Sequence, residues 1–224
     1  MSVYDEVAGA LSECGLLLRG GFRATAGDGL PEGDGTVLMV GNAGPALWRV
    51  FPHAPEARDG AANGLDRWSR RVMTELAARF GARAILPFDG PPYAPFQRWA
   101  RRAEPVAPSP VGILIHPDYG LWHAYRGALV FARALDLPPA DDRPRPCDSC
   151  ADQPCLTTCP VEAFSAAGYD VAACSAHIAT PDGQDCVDGG CLARRACPVG
   201  TAYRYDGAQA SWHMRAFLAA NPAG

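Results

Sequence analysis

The chain of 224 residues has no lysine, and all 20 of its basic residues are arginine. Schiff-base chemistry and a Walker-type phosphate loop both need a lysine, so neither can be built here. The GxGxxG fingerprint of dinucleotide-binding turns does not occur. No run approaches the roughly eighteen apolar residues of a membrane span, and the start, Met1-Ser-Val-Tyr-Asp-Glu, lacks the basic and apolar regions of a signal peptide. A cytoplasmic protein with no membrane partner is expected. The net charge of −4 argues against a nucleic-acid surface built on phosphate contacts.

Cysteine is abundant. Eight of the nine cysteines fall between Cys147 and Pro198. The first group reads Cys147-Asp-Ser-Cys150-x4-Cys155-x3-Cys159-Pro160, and Cys174, Cys186, Cys191 and Cys197-Pro198 follow. Bacterial ferredoxins use a spacing close to the first to wrap three thiolates around one cluster, while the Cys-Pro step sends the fourth to a second. Two Cys-Pro endings therefore predict two [4Fe–4S] clusters with exchanged fourth ligands. One takes Cys147, Cys150, Cys155 and Cys197; the other takes Cys159, Cys174, Cys186 and Cys191. The x4 and x5 gaps after Cys186 and Cys191 are looser than that pattern. A disulfide framework suits small secreted chains better, and zinc in paired knuckles is the other reading. From Cys147 onward there are eight Asp or Glu against four Arg, so a partner docking here would be basic.

Outside this region the pattern is mixed. Ser2 can cap a helix with Val3, Val7, Leu11 and Cys14 on one face, ending at Gly15; Cys14 reads as a core residue. Leu16–Leu18 reads as a strand entering a turn at Gly20-Gly21, and 26–35 as a loop. Thr36–Val40 is a buried strand, followed by a glycine turn and a helix opening at Pro45. Trp68, Val72, Leu76 and Phe80 recur at i+4 in a helix from Asn63 or Asp66 to Gly81. Arg83–Pro87 is a strand. It leads to the Asp89-Gly-Pro-Pro turn, a rigid place to hold a functional acid, although turn capping is a common fate of such aspartates. A helix carrying Gln97 to Arg102 comes next.

Val111–His116 and Ala128–Ala132 read as strands. Between them His116, Tyr119, Trp122, His123, Tyr125 and Arg126 suggest an aromatic pocket with an anion-binding arginine; a packed corner with satisfied histidines is the alternative. Residues 137–146, with four prolines, read as a stiff linker. The domains are then 1–139, an α/β unit, and 140–224, an iron–sulfur module whose closing helix carries Trp212, Met214 and Phe217, with apolar area to spare for the first domain.

The stretch Ile115-His116-Pro117, Gly120-Leu-Trp122 and Arg126-Gly127, followed by Leu137-Pro-Pro139, resembles the cblC-type cobalamin-processing proteins. From Asp89 through the cysteine motifs, including Tyr169-Asp-x3-Cys174, the order resembles epoxyqueuosine reductase. As a whole chain it resembles bacterial ferredoxin-type proteins. The first two resemblances imply an α+β architecture, a nitroreductase-like α/β domain followed by a small ferredoxin-like dicluster module, with a corrinoid on the first domain. They imply that Trp122 packs on the ring, that Arg126 binds a propionamide or anionic co-substrate with His116 and His123 nearby, and that Asp89 donates a proton. The implied function is a corrinoid-linked reductase fed by a low-potential donor such as a flavodoxin, ferredoxin or reductase. The looser second motif and the absence of a C-terminal repeat domain depart from the reductase. A simple ferredoxin-type carrier with no substrate of its own is the competing reading.

Overall fold

The computed structural model describes residues 2–31 and 35–223. It divides into two compact units, Met1–Pro105 with His123–Asp142, and Val106–Trp122 with Arg143–Gly224.

The first unit is built on an antiparallel sheet whose strands lie in the order Leu17–Arg23 (β1), Thr36–Ala43 (β2), His123–Phe131 (β6) and Arg83–Ile85 (β3). Helix α1 (Val3–Glu13) opens with a capping box between Ser2 and Asp5, which satisfies N–H groups that the first turn leaves open. Strand β1 (Leu17–Arg23) follows. It does not turn at Gly20-Gly21 as its sequence suggests, but runs through both glycines with a register slip. A side chain at Gly20 would stand 2.1 Å from the carbonyl oxygen of Ala103, so this glycine serves a close approach. Strand β2 (Thr36–Ala43) is buried at all eight positions. That explains its continuous apolar run in place of alternation. Each fully buried Val, Leu or Met there contributes about 1.5–3 kcal/mol.

The helix expected after Pro45 is reduced to two 3-10 turns, Leu47–Arg49 and Phe51–His53, because Pro52 cannot donate to a continuing helix. The short α2 (Pro55–Arg58) leads into α3 (Gly64–Phe80), which ends at Gly81 in the left-handed region. Trp68, Val72 and Leu76 are its buried stripe. Strand β3 (Arg83–Ile85) forms an edge of the sheet, and α4 (Phe96–Ala103) follows. A small hairpin of the other unit comes next, β4 (Ala107–Pro108) and β5 (Leu114–Ile115). The chain then returns as β6 (His123–Phe131), which begins five residues before the expected Ala128. The pairing of β6 with β2 slips between Gly127 and Tyr125, leaving Arg126 as the extra residue of a bulge.

The second unit holds all eight clustered cysteines. Its helices are α5 (Pro154–Thr157), α6 (Val171–Ile178), α7 (Gln184–Gly189), α8 (Leu192–Ala196) and α9 (Gly207–Ala220). A two-strand ribbon, β7 (Phe164–Ser165) with β8 (Gly168–Tyr169), precedes α6. A single cut at residue 139 does not describe this unit, because 106–122 belongs to it. Val111, Ile115 and Leu121 share a core with Cys155, Phe164, Ala193 and Cys197. Arg194 donates to the Leu121 carbonyl at 3.0 and 2.5 Å, and Arg143 grips Asp118 with two bonds of 2.7 Å. The apolar face of α9 is used within the unit: Met214, Phe217 and Leu218 pack on Ile178, Cys186 and Val187. Among the described residues, no helix is long and apolar enough to cross a membrane.

Candidate functional site

All nine cysteines are free thiols. Local structure delivers the clustered eight to two places. Pro146 starts a 3-10 turn that carries Cys147 and closes at Cys150. Gln153, in the left-handed region, lets the chain re-enter a helix at Pro154, so that Cys155 follows within one turn. Cys197 terminates α8 in extended backbone, as a residue before proline prefers. These four thiols, Cys147, Cys150, Cys155 and Cys197, line one cavity together with Ile115 and Val199.

The other four line a second cavity. Cys159 ends the first motif, Cys174 lies on α6, Cys186 on α7, and Cys191 opens α8; Phe164, Ile178 and Met214 complete the wall. Among the described residues, no three His, Cys, Asp or Glu side chains are drawn together as they would be on a single metal ion.

Burial pushes the thiols of Cys147, Cys155, Cys174, Cys186, Cys191 and Cys197 above their ordinary range. Specific donors pull the other way. The Arg145 guanidinium faces Cys147, the Tyr169 hydroxyl faces Cys174, and backbone N–H groups of Leu192, Arg194 and Val199 face Cys186, Cys191 and Cys197 respectively. The Ala163 N–H donates to Cys159 Sγ at 3.4 Å. Donors aimed at sulfur stabilise the thiolate, which is the form that binds metal.

The remaining candidates are dispersed. Asp89 lines a cleft of about 600 Å³ in the first unit, with Asp28, Arg83, Tyr93, Arg98 and Trp99 among its neighbours. Its carboxylate accepts from Arg70 at 2.5 Å. His123, nine-tenths buried at the start of β6, has Nδ1 3.2 Å from an Arg19 nitrogen. Since arginine only donates, Nδ1 accepts and the ring proton lies on Nε2. Arg19 is 1% exposed and pairs with Glu104 at 2.6 Å; it also donates to the Asn42 carbonyl at 3.2 Å. The Tyr125 hydroxyl donates to Glu104 as well. Burial raises the Glu104 carboxyl against the opposing pull of Arg19 and Tyr125. Arg19 and Glu104 are the residues that sequence reasoning missed, since partners 85 positions apart leave no local signal.

His116 and Trp122 lie in the second unit. The N–H groups of Asp118 and Tyr119 donate to His116 Nδ1 at 3.0 and 3.3 Å, and its ring stacks on Tyr119 at 4.3 Å. Trp122 is 2% exposed. The Arg194 guanidinium covers its ring at 4.5 Å and Tyr205 meets it edge-on at 5.4 Å. Trp122, expected from the resemblance to pack on a corrinoid, is covered here by the chain's own side chains.

No protein-family model matches the sequence, and no curated protein matches it either. A solved structure does match in three dimensions: a B12-trafficking protein CblC of C. elegans, a human MMACHC homologue, with TM-score 0.50 and 13% identity over 96% of this chain and 91% of that one. The chain is thus a mixed α+β protein with a small antiparallel sheet, similar in fold to that protein.

Proposed function

We propose that this chain is an iron–sulfur redox protein with two [4Fe–4S] clusters, one on Cys147, Cys150, Cys155 and Cys197 and one on Cys159, Cys174, Cys186 and Cys191, which passes electrons to a corrinoid or similarly large cofactor. The observation that carries the reading is the sorting of eight thiols into two cavities of four. Four thiols around each cavity are the ligand number that a four-iron cluster takes. The donor set fits: sulfur ligands only, with N–H and O–H groups directed at them.

When bound, the clusters would supply single-electron transfer. The chain's own part is to hold the thiolates, to keep water from them with Ile115, Phe164 and Met214, and to set the charge around them. Arg145 and Arg204 favour added negative charge near Cys147 and Cys197. Asp148 beside Cys147 and Asp185 beside Cys186 oppose it. Carboxylates exceed arginines in this region, which favours a donor with a basic face, such as a flavodoxin reductase or ferredoxin reductase.

The corrinoid rests on the likeness of fold to a B12-trafficking protein, an argument by analogy. Arg126 at its bulge, His123, and Asp89 in the cleft of the first unit are the residues assigned to the acceptor. If the acceptor is a substrate that takes protons, Asp89 is the donor. Anaerobic reconstitution should approach about eight iron and eight sulfide per chain. Cobalamin added to that protein should show the base-off spectral shift, weakened in Arg126→Ala. Tight zinc binding without sulfide would end the cluster reading, and an unshifted spectrum would end the corrinoid reading.

The covering of Trp122 by Arg194 and Tyr205 favours a second reading, a ferredoxin-type carrier without its own substrate. It predicts that Asp89→Asn and Arg126→Ala leave cluster-dependent electron transfer unchanged.

A further inference from the structure

An apolar pocket of about 300 Å³ lies against the second four-thiol cavity, at the small end of the range for organic ligands. Four residues, Phe164, Cys174, Cys191 and Met214, line both spaces. These four side chains therefore form a wall that the pocket and the thiol cavity share. The wall is aromatic. Phe164 stacks on Tyr169 with centroids 4.8 Å apart and planes 18° off parallel, and Tyr169 faces Phe217 at 6.1 Å and 29°. The Tyr169 hydroxyl is directed at the Cys174 thiol. Ile113 and Tyr169 line the pocket yet stay 43% and 37% exposed, so it opens to solvent beside two large apolar groups. The one charged lining residue, Arg194, already donates to the Leu121 carbonyl and lies over Trp122 and Tyr205, so it makes no demand for an anionic ligand.

We propose that this pocket receives the flat isoalloxazine ring of a reduced flavin and is where electrons enter the second cluster. The proposal rests on the reading of Cys159, Cys174, Cys186 and Cys191 as cluster ligands. A cluster accepts one electron at a time, which a nicotinamide, giving a hydride, does not supply and a flavin does. The reduced ring, in its neutral form, gives up two electrons singly and two protons to water. Each cluster takes one electron, so charge and protons balance. Parallel rings along the wall favour a planar aromatic guest, and the apolar lining selects the ring, not its phosphate. The ring could come as a free flavin or as the exposed edge of a protein-borne one.

The test uses the iron-loaded protein, with iron and sulfide counted first. Lumiflavin, the ring without a charged tail, is titrated and its fluorescence quenching followed; an FMN-loaded flavodoxin is run in parallel by surface binding. Saturable quenching that weakens at least tenfold in Ile113→Glu supports a free ring, because that variant places a charge in the apolar lining at a half-exposed position and its iron content reports its folding. Binding of the flavodoxin alone, lost in the same variant, supports a protein-borne ring. If neither binds, or if Ile113→Glu binds as the parent does, the proposal is overturned. A protein that holds about eight iron but binds no flavin sinks this inference alone, whereas one that takes up no iron and sulfide sinks the cluster reading beneath it.

Discussion

At the scale of single residues, charge burial decides more than the sequence discloses. Arg19, set in β1 between Leu18 and Gly20, is 1% exposed and depends on Glu104. Removing either partner strands the other in a low-dielectric interior, which costs about 3–5 kcal/mol. Glu104→Ala should therefore lower the melting temperature severely. The double variant Arg19→Leu, Glu104→Leu should lose less than the two single variants summed, and strict additivity in thermal or urea melts would show that the pair is not coupled. Asp28 gives a pH dependence. Burial raises its carboxyl, but Arg102 and the Thr25 groups outweigh that and hold it below the ordinary carboxylate value. A depressed carboxyl contributes stability above its unfolded value, about 4, and the contribution is lost as pH falls through the lower folded value. Asp28→Asn should flatten the acid limb of a stability–pH profile below about pH 4 while destabilising the protein at neutral pH. An unchanged acid limb would remove Asp28 from the account.

At the scale of elements, periodic segments were readable and long-range contacts were not. The Ser2 and Asp5 box of α1, the Trp68, Val72 and Leu76 stripe of α3, and the apolar run of β2 all follow from spacing. Gly20 and Gly21 were misread because glycine signals a turn and a close approach alike, and only the carbonyl of Ala103 decides between them. The bulge at Arg126 is likewise silent, since an extra residue shows only in the pairing with β2. The grouping of 106–122 with the second unit is silent in the sequence for the same reason. Gly120, in the left-handed region, would place a side chain 2.0 Å from the carbonyl oxygen of Val199, a contact about eighty residues away in sequence. Gly120→Ala should cost on the order of 3 kcal/mol through backbone strain and overpacking. We expect it to release iron from the Cys147 group before the Cys174 group, because Val199 and Ile115 wall the first cavity. Equal retention of both clusters in that variant would separate the 106–122 segment from the site.

At the scale of the whole molecule, a function can be proposed from the sequence where residue type and spacing together suggest chemistry, and it is obscure where it depends on packing. Eight cysteines with two Cys-Pro steps suggest a ligand set before any fold is known, whereas nothing near Trp122 in sequence announces Arg194 above its ring. The central claim is the division of the eight thiols into two groups that each cross the two motifs. Iron and sulfide counts on reconstituted cysteine-to-alanine variants test it most directly. Cys147→Ala should keep about four iron of about eight. Adding Cys197→Ala should remove no more, since both thiols line the same cavity. Combining Cys147→Ala with Cys159→Ala should leave almost none, since these two motif neighbours line different cavities. If the Cys147 and Cys197 pair instead loses everything while the Cys147 and Cys159 pair keeps half, each motif holds its own cluster and the account is contradicted.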